Sequence, residues 1–231
     1  MGHLYLPYMY KVSEKLELGN LYNLQTLLNV GPETIKMPTR FQFNYLRILG
    51  IKYQVYEEGP HLIQMLVSSC PHLYQLVVFY DIKKLPETCQ FSPNLAELEL
   101  RFTCIEKDLM PTLEKLPNLK ILRFFARSFE GKDMVCSKGG FPLLQYLLID
   151  SLPNLRQWKV EKGAMPSLCH LQIMRCWLLK TIPNGLRFVT TLQELEIRYM
   201  LESFKDRLNK GGPDFYKVQH VPSFAFEQCD W

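Results

Sequence analysis

A repeated pattern of leucines runs through most of the chain and constrains its fold more than any other feature. The pattern is Leu-x-x-Leu-x-Leu, with isoleucine, valine or phenylalanine allowed at the last position. Seven clear matches begin at Leu46, Leu73, Leu95, Leu119, Leu144, Leu168 and Leu192, and a looser one begins at Leu24. Successive starts are 22 to 27 residues apart. A spacing this regular predicts a chain built from stacked copies of one small unit.

The end of each match alternates Leu-x-Leu, which is the period of a β-strand with one buried face. One unit cannot bury its leucines alone, so neighbouring units must stack and pair their strands in parallel. The predicted fold class is therefore α/β: a curved leucine-rich-repeat solenoid with about eight short parallel strands on its concave face. The positions expected in its core are Leu98, Leu100, Leu122, Leu147, Ile149, Leu171, Ile173, Leu195 and Ile197.

The other half of each repeat returns the chain to the start of the next strand. Leu85-Pro86 and Ile182-Pro183 fall in this half, where proline favours extended or short 3₁₀ backbone. The convex side is therefore predicted to be irregular or short-helical. One stretch, residues 61–69, has apolar residues at helical spacing and lies in the longest repeat, beside an insertion expected at residues 57–65.

The repeats are predicted to occupy residues 1–200, as about eight to nine units, and residues 201–231 to form a C-terminal cap and tail. Gly211-Gly212-Pro213 ends the last apolar stretch, and a terminal unit must cover the open end of the core. The N-terminus shows no comparable cap. The first strand would expose core residues, so a further segment is expected to precede it in the parent protein.

Charge and cysteine usage limit the cellular setting. The net charge of +4 is spread along the chain without a dense basic block, so neither nucleic acid nor a membrane surface is expected as a partner. No run of 18 apolar residues exists, so no membrane span is predicted. The seven cysteines are odd in number and form no Cys-x-x-Cys pair. Reduced thiols and a cytoplasmic or nuclear location follow, with Cys104, Cys169 and Cys176 expected to be mostly buried.

The sequence predicts neither a nucleotide site nor a metal site. A phosphate-binding loop needs Gly-x-x-x-x-Gly-Lys-Ser/Thr, which the chain lacks. Cys169, His170 and Cys176 lie close enough in sequence to be considered as zinc ligands. Cys169 and His170 are neighbours on a predicted strand, however, so their side chains point to opposite faces. Cys176 occupies a position where this repeat places a small buried side chain that bonds to the loop backbone.

Two pairs of carboxylates, Glu97 with Glu99 and Glu194 with Glu196, each share one side of a strand. Paired acids can hydrolyse glycosides. Each pair lies on the exposed face of the predicted sheet rather than in a cleft, so a solvated surface is the better interpretation. The chain is therefore predicted to have no catalytic residue, no bound cofactor and no metal, and not to be an enzyme.

Function is then expected on the concave face, where the x positions of the strands and the residues directly after them point outward, among them Tyr80, Leu148, Asp150 and Gln172. These positions are rich in aromatic residues and arginine, the residue types that dominate binding hot spots. The residues predicted to contact a protein partner are Arg101, Arg123, Phe125, Tyr146, Arg175, Arg198 and Tyr199. Charge reversal at Arg123 or Arg175 is expected to change binding without unfolding the chain. The alternative is that some of these side chains are half-buried between neighbouring strands.

Several segments are similar to known sequences. The repeat from Leu168 to Pro183 resembles the plant intracellular form, Leu-x-x-Leu-x-Leu-x-x-Cys-x-x-Leu-x-x-Leu-Pro. Segments similar to coiled-coil nucleotide-binding leucine-rich-repeat disease-resistance proteins are residues 3–7, 23–27, 134–142, 163–166, 185–188 and 214–222. The resemblance covers nearly the whole chain and is most specific from residue 134 to 223. The coiled-coil and nucleotide-binding domains of that family are absent here, so their activities are not carried over.

The resemblance implies the C-terminal sensor module of a plant immune receptor. In that family the module recognises pathogen effectors or guarded host proteins and helps to hold the receptor inactive. Its partner would be an effector, a host protein or the receptor's own nucleotide-binding domain. The alternative is a substrate adaptor or scaffold, for example of an F-box ubiquitin ligase. That function would require an upstream F-box-like helical segment, which this chain does not contain.

Overall fold

A computed structural model describes residues 2–6, 15–17, 21, 23–31, 34–36, 42–52 and 60–227. Cys229 and the first part of the insertion expected at residues 57–65 lie outside the described residues. Within the described part, no helix is long and apolar enough to cross a membrane.

Parallel strands dominate the fold. Ten described strands form one sheet, in the order β1-β3-β5-β6-β7-β8-β10-β12-β13-β14. Each strand is followed in the sheet by one that lies later in the chain, as a solenoid requires. The bounds are His3–Tyr5 (β1), Thr26–Val30 (β3), Ile48–Lys52 (β5), Gln75–Phe79 (β6), Glu97–Arg101 (β7), Ile121–Phe125 (β8), Tyr146–Asp150 (β10), His170–Met174 (β12), Glu194–Arg198 (β13) and Ser223–Glu227 (β14).

The register of these strands explains the leucine pattern. Leu76, Leu98 and Leu122 pair directly across β6, β7 and β8, so equivalent leucines lie side by side. All nine positions predicted for the core are at most 1% exposed, which confirms the predicted solenoid. Full burial of one such side chain stabilises the fold by about 1.5 to 3 kcal/mol.

The return half of the repeats contains short helices and also strands that the sequence analysis did not predict. The helices are α1 (Pro60–Ser68), α2 (Met110–Leu113) and three 3₁₀ turns, Thr88–Gln90, Asn184–Phe188 and Phe215–Lys217. Helix α1 coincides with the helical stretch predicted at residues 61–69. The additional strands form two small parallel sheets: Leu16–Glu17 (β2) with Ile35–Lys36 (β4), and Asp133–Cys136 (β9) with Gln157–Val160 (β11).

The segment predicted to be a cap begins with a helix, α3 (Glu202–Leu208), and ends in a strand. Strand β14 lacks the leucine pattern, yet it pairs in parallel with β13 and forms the last strand of the main sheet. Phe204 and Leu208 of α3 are at most 2% exposed and pack into the hydrophobic core. The division of the chain into a solenoid and a cap remains a prediction.

Asp214 joins this C-terminal segment to the preceding repeat. Its carboxylate is buried and accepts hydrogen bonds from Arg207 Nε at 2.6 Å and Thr181 Oγ1 at 2.7 Å. Lys217 Nζ lies 2.7 Å from the other carboxylate oxygen and also donates to the carbonyl oxygen of Ile182 at 3.0 Å. Because Thr181 and Ile182 belong to the previous turn, these contacts fix the C-terminal segment in place.

The cysteines follow the prediction only in part. Cys176 is fully buried, and its Sγ lies 3.2 Å from the carbonyl oxygen of Met174, as expected for a thiol that bonds to the loop backbone. Burial raises the pKa of Cys176 to about 12. Cys104 and Cys169 are only half-buried, so the expectation that they would be mostly buried was wrong. Both lie where the strand has ended or not yet begun, outside the alternation that buries side chains.

A left-handed residue ends most of the central strands. The residues directly after β7, β8, β10, β12 and β13 have φ values between 28° and 55°, and none is glycine: Phe102, Ala126, Ser151, Arg175 and Tyr199. This conformation places Cβ close to the next carbonyl oxygen, which costs roughly 1 to 2 kcal/mol per residue. The repeated turn therefore stops these five strands at the same level in the sheet.

Ala126→Gly is expected to stabilise the protein by about 0.5 kcal/mol, because the relieved Cβ contact outweighs the greater freedom of glycine in the unfolded chain. Ala126 has φ of 28° and its methyl group makes no polar contact. The matched control is Ala96→Gly, at a residue that is 3% exposed and has no positive φ. Ala96→Gly should lower the free energy of unfolding by about 1 kcal/mol. Urea denaturation followed by circular dichroism measures both, and equal losses would contradict the argument.

Candidate functional site

The outward-facing side chains of the main sheet form rows that run across the strands. In the row nearest the strand starts, Gln75, Glu97, Ile121, Tyr146, His170 and Glu194 are direct cross-strand neighbours. The middle row contains Val77, Glu99, Arg123, Leu148, Gln172 and Glu196. Strands of one sheet lie about 5 Å apart, so side chains of one row contact each other. The seven residues predicted to bind a partner lie on this surface or at its edge.

Cations of one repeat lie over aromatic rings of the next repeat. The Cζ atom of Arg101 lies 4.0 Å from the ring centroid of Phe125, and that of Arg123 lies 5.3 Å from the centroid of Tyr146. The Cζ atom of Arg175 lies 5.7 Å from the centroid of Tyr199. Each stack contributes about 0.5 to 1 kcal/mol at an exposed site. Six of the seven predicted residues are therefore brought together as three arginine–aromatic pairs.

A chain of polar contacts continues from the second pair toward the C-terminal edge. The Tyr146 hydroxyl donates to Gln172 Oε1 at 2.6 Å, and Gln172 Nε2 donates to Glu196 Oε2 at 2.8 Å. Arg198 then links Glu196, at 3.0 Å, to Glu227, at 3.2 Å. Burial raises the pKa of Tyr146, so its hydroxyl stays protonated and keeps donating. These contacts fix rotamers that would otherwise be mobile at the surface.

Arg175 has a structural partner as well as a ring. Its guanidinium donates to both carboxylate oxygens of Asp150, and the Nε contact measures 2.9 Å. The Asp150 side chain is 5% exposed, whereas that of Arg175 is 39% exposed. The hydrogen bond that Arg175 donates to Asp150 raises the pKa of Arg175. The expectation that charge reversal leaves the fold intact therefore does not apply to Arg175, which neutralises a buried carboxylate.

Three positions that the pattern placed on the exposed face are buried instead. Tyr80, Leu148 and Asp150 are each at most 4% exposed. Asp150 is buried by its contact with Arg175 of the next repeat. Tyr80 directly follows β6 and continues its alternation, since Leu76, Val78 and Tyr80 are all buried. For Leu148, the alternative reading of a side chain packed between its neighbours is the correct one.

Three of the four carboxylates considered for catalysis are engaged in ion pairs with arginine. Glu99 binds Arg101, and Glu97 lies 3.7 Å from Arg123. Glu196 binds Arg198, as described above, and Glu194 lies 3.5 Å from His170 on the open sheet face. The described part of the chain contains no cluster of three potential metal-ligating side chains. The arrangement offers large rings and paired charges on a continuous surface, which suits contact with another protein.

Sequence reasoning missed Gln172, Glu196 and Glu227 as members of this network. The first two were recognised as outward-facing, but nothing in one strand alone shows that they bond across strands. Glu227 belongs to β14, which lacks the repeat pattern and was therefore not placed on the sheet. The alternation Phe224-x-Phe226 was the only available signal, and it is short.

Comparison with known proteins gives one family and a set of relatives. A family model described as leucine-rich repeat region matches residues 16–210. A relative described as probable disease resistance RPP8-like protein 2, from Arabidopsis thaliana, is 35% identical over 257 residues, covering 100% of this chain and 28% of that protein. Disease resistance protein RPP8 of the same species is 35% identical over 261 residues, with the same two coverages. A third relative from this plant, described as a putative disease resistance protein, is 39% identical over 98% of the chain and 26% of its own length.

This chain thus spans between 26% and 28% of the length of these relatives. The similarity extends over both the repeats and the C-terminal segment.

Proposed function

Since the chain belongs to the leucine-rich repeat region family, we propose that it is the protein-binding module of a plant intracellular immune receptor. Its similarity to disease resistance proteins over the whole of its length supports this proposal. In this role the concave face recognises a pathogen effector or a guarded host protein. The same face, or part of it, contacts the receptor's own nucleotide-binding domain and contributes to holding the receptor inactive.

The observation that carries the proposal is the preorganised row of arginine–aromatic pairs. Arg101, Arg123 and Arg175 each lie over a ring of the following repeat. Binding normally costs about 0.5 to 1.5 kcal/mol for each mobile side chain that becomes fixed. Here contacts between neighbouring repeats already fix the rotamers of these side chains in the folded protein, so binding has to order them less. We assign partner contact to Arg101, Arg123, Phe125, Tyr146, Arg198 and Tyr199, and to Arg175 a positioning role beside Tyr199.

The proposal includes no chemistry carried out by this module. We propose that the chain acts in the cytoplasm or nucleus, binds no cofactor and neither binds nor hydrolyses ATP. The six described cysteines are all free, which is compatible with a reducing compartment. Among them Cys70, Cys136 and Cys176 are buried, and burial raises the pKa of each thiol to about 12. Such thiols are poor nucleophiles and serve as small core side chains.

Phe125→Ala and Tyr199→Ala are expected to weaken binding of the partner by about 30-fold each, because truncating a hot-spot anchor costs about 2 kcal/mol or more. Arg123→Glu should do the same by reversing a charge at the centre of the patch. Lys115→Glu is the matched control, since Lys115 is exposed in the return half of its repeat. The 231-residue chain and its variants are used to capture proteins from infected and healthy plant tissue, with quantitative mass spectrometry as the readout.

The proposal requires at least one plant or pathogen protein that the wild type and the control retain equally and that all three concave variants lose. Variants that capture the same proteins as the wild type, while Lys115→Glu loses them, would place the binding surface elsewhere. Circular dichroism of each variant confirms that its fold is intact before the comparison is made.

A further inference from the structure

The small sheet on the return side ends at strand β11 with one open edge. Strand β9 pairs with β11 on one side. The next repeat does not supply a third strand: its corresponding residues, 181–183, form neither helix nor strand, and the 3₁₀ turn Asn184–Phe188 follows them. A groove of about 1030 Å³ lies between β11 and this segment. It lies in the return half of the repeats, apart from the ten-stranded sheet.

The hydrogen-bonding pattern shows which main-chain groups face this groove. Gln157 N donates to the carbonyl oxygen of Lys132 at 3.1 Å, and Glu161 N donates to that of Cys136 at 3.0 Å. In a parallel ladder alternate residues bond to the same neighbour. The amide and carbonyl groups of Trp158 and Val160 therefore point away from β9, toward the groove.

Gly185 covers only one end of this open edge. A Cβ atom at Gly185 would lie 1.9 Å from the carbonyl oxygen of Val160, so the backbones touch there. The main chain of Trp158, two residues earlier, lies farther along the groove. An extended segment entering from that end can therefore form strand-like hydrogen bonds to Trp158, as in other cases of edge-strand addition.

The groove has an apolar floor and partly exposed apolar walls. Trp158, Val160 and Ile182 line it and are each at most 5% exposed. Leu178 and Phe188 also line it, at 41% and 38% exposed. A partner side chain placed between the last two would bury apolar surface on both sides of itself.

All ionisable residues that line the groove are basic: Arg156, Lys159, Lys162, Lys180 and Lys217. Lys159 pairs with Glu161 at 3.1 Å, and Lys217 with Asp214 at 2.7 Å. None of the ion pairs in the described part of the chain involves the other three, which are all exposed. The groove therefore carries an uncompensated positive charge beside an apolar floor.

Two positively charged side chains also lie close to the ring of Phe188, at the edge of the groove. Lys162 Nζ lies 5.1 Å from its ring centroid, and Arg187 Cζ lies 4.5 Å from it. These contacts keep positive charge next to an exposed ring. An acidic residue adjacent to an apolar one in a partner would meet both features at once.

We propose that this groove binds an extended acidic segment of a partner protein that carries one large apolar side chain. The segment adds to the open edge of β11 through the main chain of Trp158. Its carboxylates pair with Arg156, Lys162 and Lys180, and its apolar side chain packs against Leu178 and Phe188. This surface is separate from the concave face, and the inference does not depend on the function proposed for that face.

The test uses a fluorescein-labelled peptide, Asp-Glu-Phe-Asp-Glu-Asp, and the 231-residue chain at low ionic strength, with fluorescence anisotropy as the readout. The wild type should bind it saturably, and added salt should weaken binding because exposed charges are screened. Arg156→Glu/Lys180→Glu should weaken binding by about 10-fold or more, since two favourable pairs become repulsive. The matched control, Lys115→Glu/Lys120→Glu, makes the same charge change at exposed residues outside the groove and should stay within about twofold.

Two further arms separate the features of the groove. A peptide with serine in place of phenylalanine should bind several-fold more weakly, and Phe188→Ala should remove most of that difference. Amide hydrogen exchange should show peptide-dependent protection in residues 156–162 and 178–188 rather than in the strands of the main sheet. The proposal is overturned if the wild type does not bind, if the control double variant weakens binding as much as the groove variant, or if protection falls on the main sheet.

Discussion

Asp214→Ala is expected to lower the free energy of unfolding by about 3 to 5 kcal/mol, the usual consequence of removing one member of a buried ion pair. Lys217 is 7% exposed and would lose the carboxylate that lies 2.7 Å from its Nζ. Arg207 and Thr181 would lose their common acceptor at the same time. A typical domain has only about 5 to 15 kcal/mol of stability, so the C-terminal segment should detach at temperatures where the wild type is folded.

Urea denaturation followed by circular dichroism measures this loss, and limited proteolysis reports on the C-terminal segment itself. Asp206→Ala is the control, because Asp206 is exposed and makes none of the ion pairs of the described chain. It should change stability by under about 0.5 kcal/mol. Equal effects of the two substitutions would mean that the contacts of Asp214 contribute nothing beyond an ordinary surface carboxylate.

The same carboxylate gives a pH dependence with a defined sign. Burial raises the pKa of Asp214, but hydrogen bonds from Arg207, Lys217 and Thr181 outweigh it and lower the pKa to about 2. An unfolded aspartate titrates near 3.9, so the folded state favours the charged form by about 2 kcal/mol. This stabilisation is complete above the unfolded pKa and is lost as the pH falls from about 4 through 2. As the pH falls over that interval, the free energy of unfolding should therefore decrease less in Asp214→Ala than in the wild type.

Arg175→Ala is expected to lower the free energy of unfolding by about 2 to 3 kcal/mol. This is less than the loss expected for a fully buried ion pair, because the arginine is partly exposed. The carboxylate of Asp150 would then be buried without a cation. Arg198→Ala is the matched control: its partners Glu196 and Glu227 lie at similar distances, but Glu227 is 52% exposed, so about 0.5 kcal/mol or less should be lost.

A double-mutant cycle with Asp150→Ala isolates the pair from other effects. The coupling energy should exceed about 1 kcal/mol, since the two groups are in direct contact. Additive losses would show that the two side chains do not stabilise each other. This result matters for any binding experiment, because a variant at Arg175 that fails to bind has to be separated from one that has lost its fold.

The spacing of leucines predicted the fold well because the physical cause is local and repeated. Leu98, Leu122 and Leu147 occupy equivalent positions in units of nearly constant length, and each needs the next unit to become buried. Stacking in parallel register is then the arrangement that buries all of them. The same alternation predicted which residues lie on the outer face of the sheet.

Contacts between repeats were not predictable in the same way. The burial of Asp150 depends on Arg175, which lies one repeat later and shares no pattern with it. Strands β9 and β11 are four residues each, and the residues that pair between them lie 24 positions apart in the sequence. The sequence around either strand therefore does not show that it has a partner strand. The groove beside β11 exists only because a neighbouring repeat adopts a different local structure, which single-repeat reasoning does not detect.

The left-handed residue after most central strands has a consequence for how such a molecule can diversify. Each central strand has a buried leucine as its second residue, and most of these strands end at the same turn, so their outward positions form a grid of constant geometry. A substitution on that grid changes one contact with little effect on the backbone, and most such changes cost under about 0.5 kcal/mol. Specificity for a new target can therefore arise by point mutation at grid positions such as Val77 or Ile121, while the scaffold beneath them stays the same.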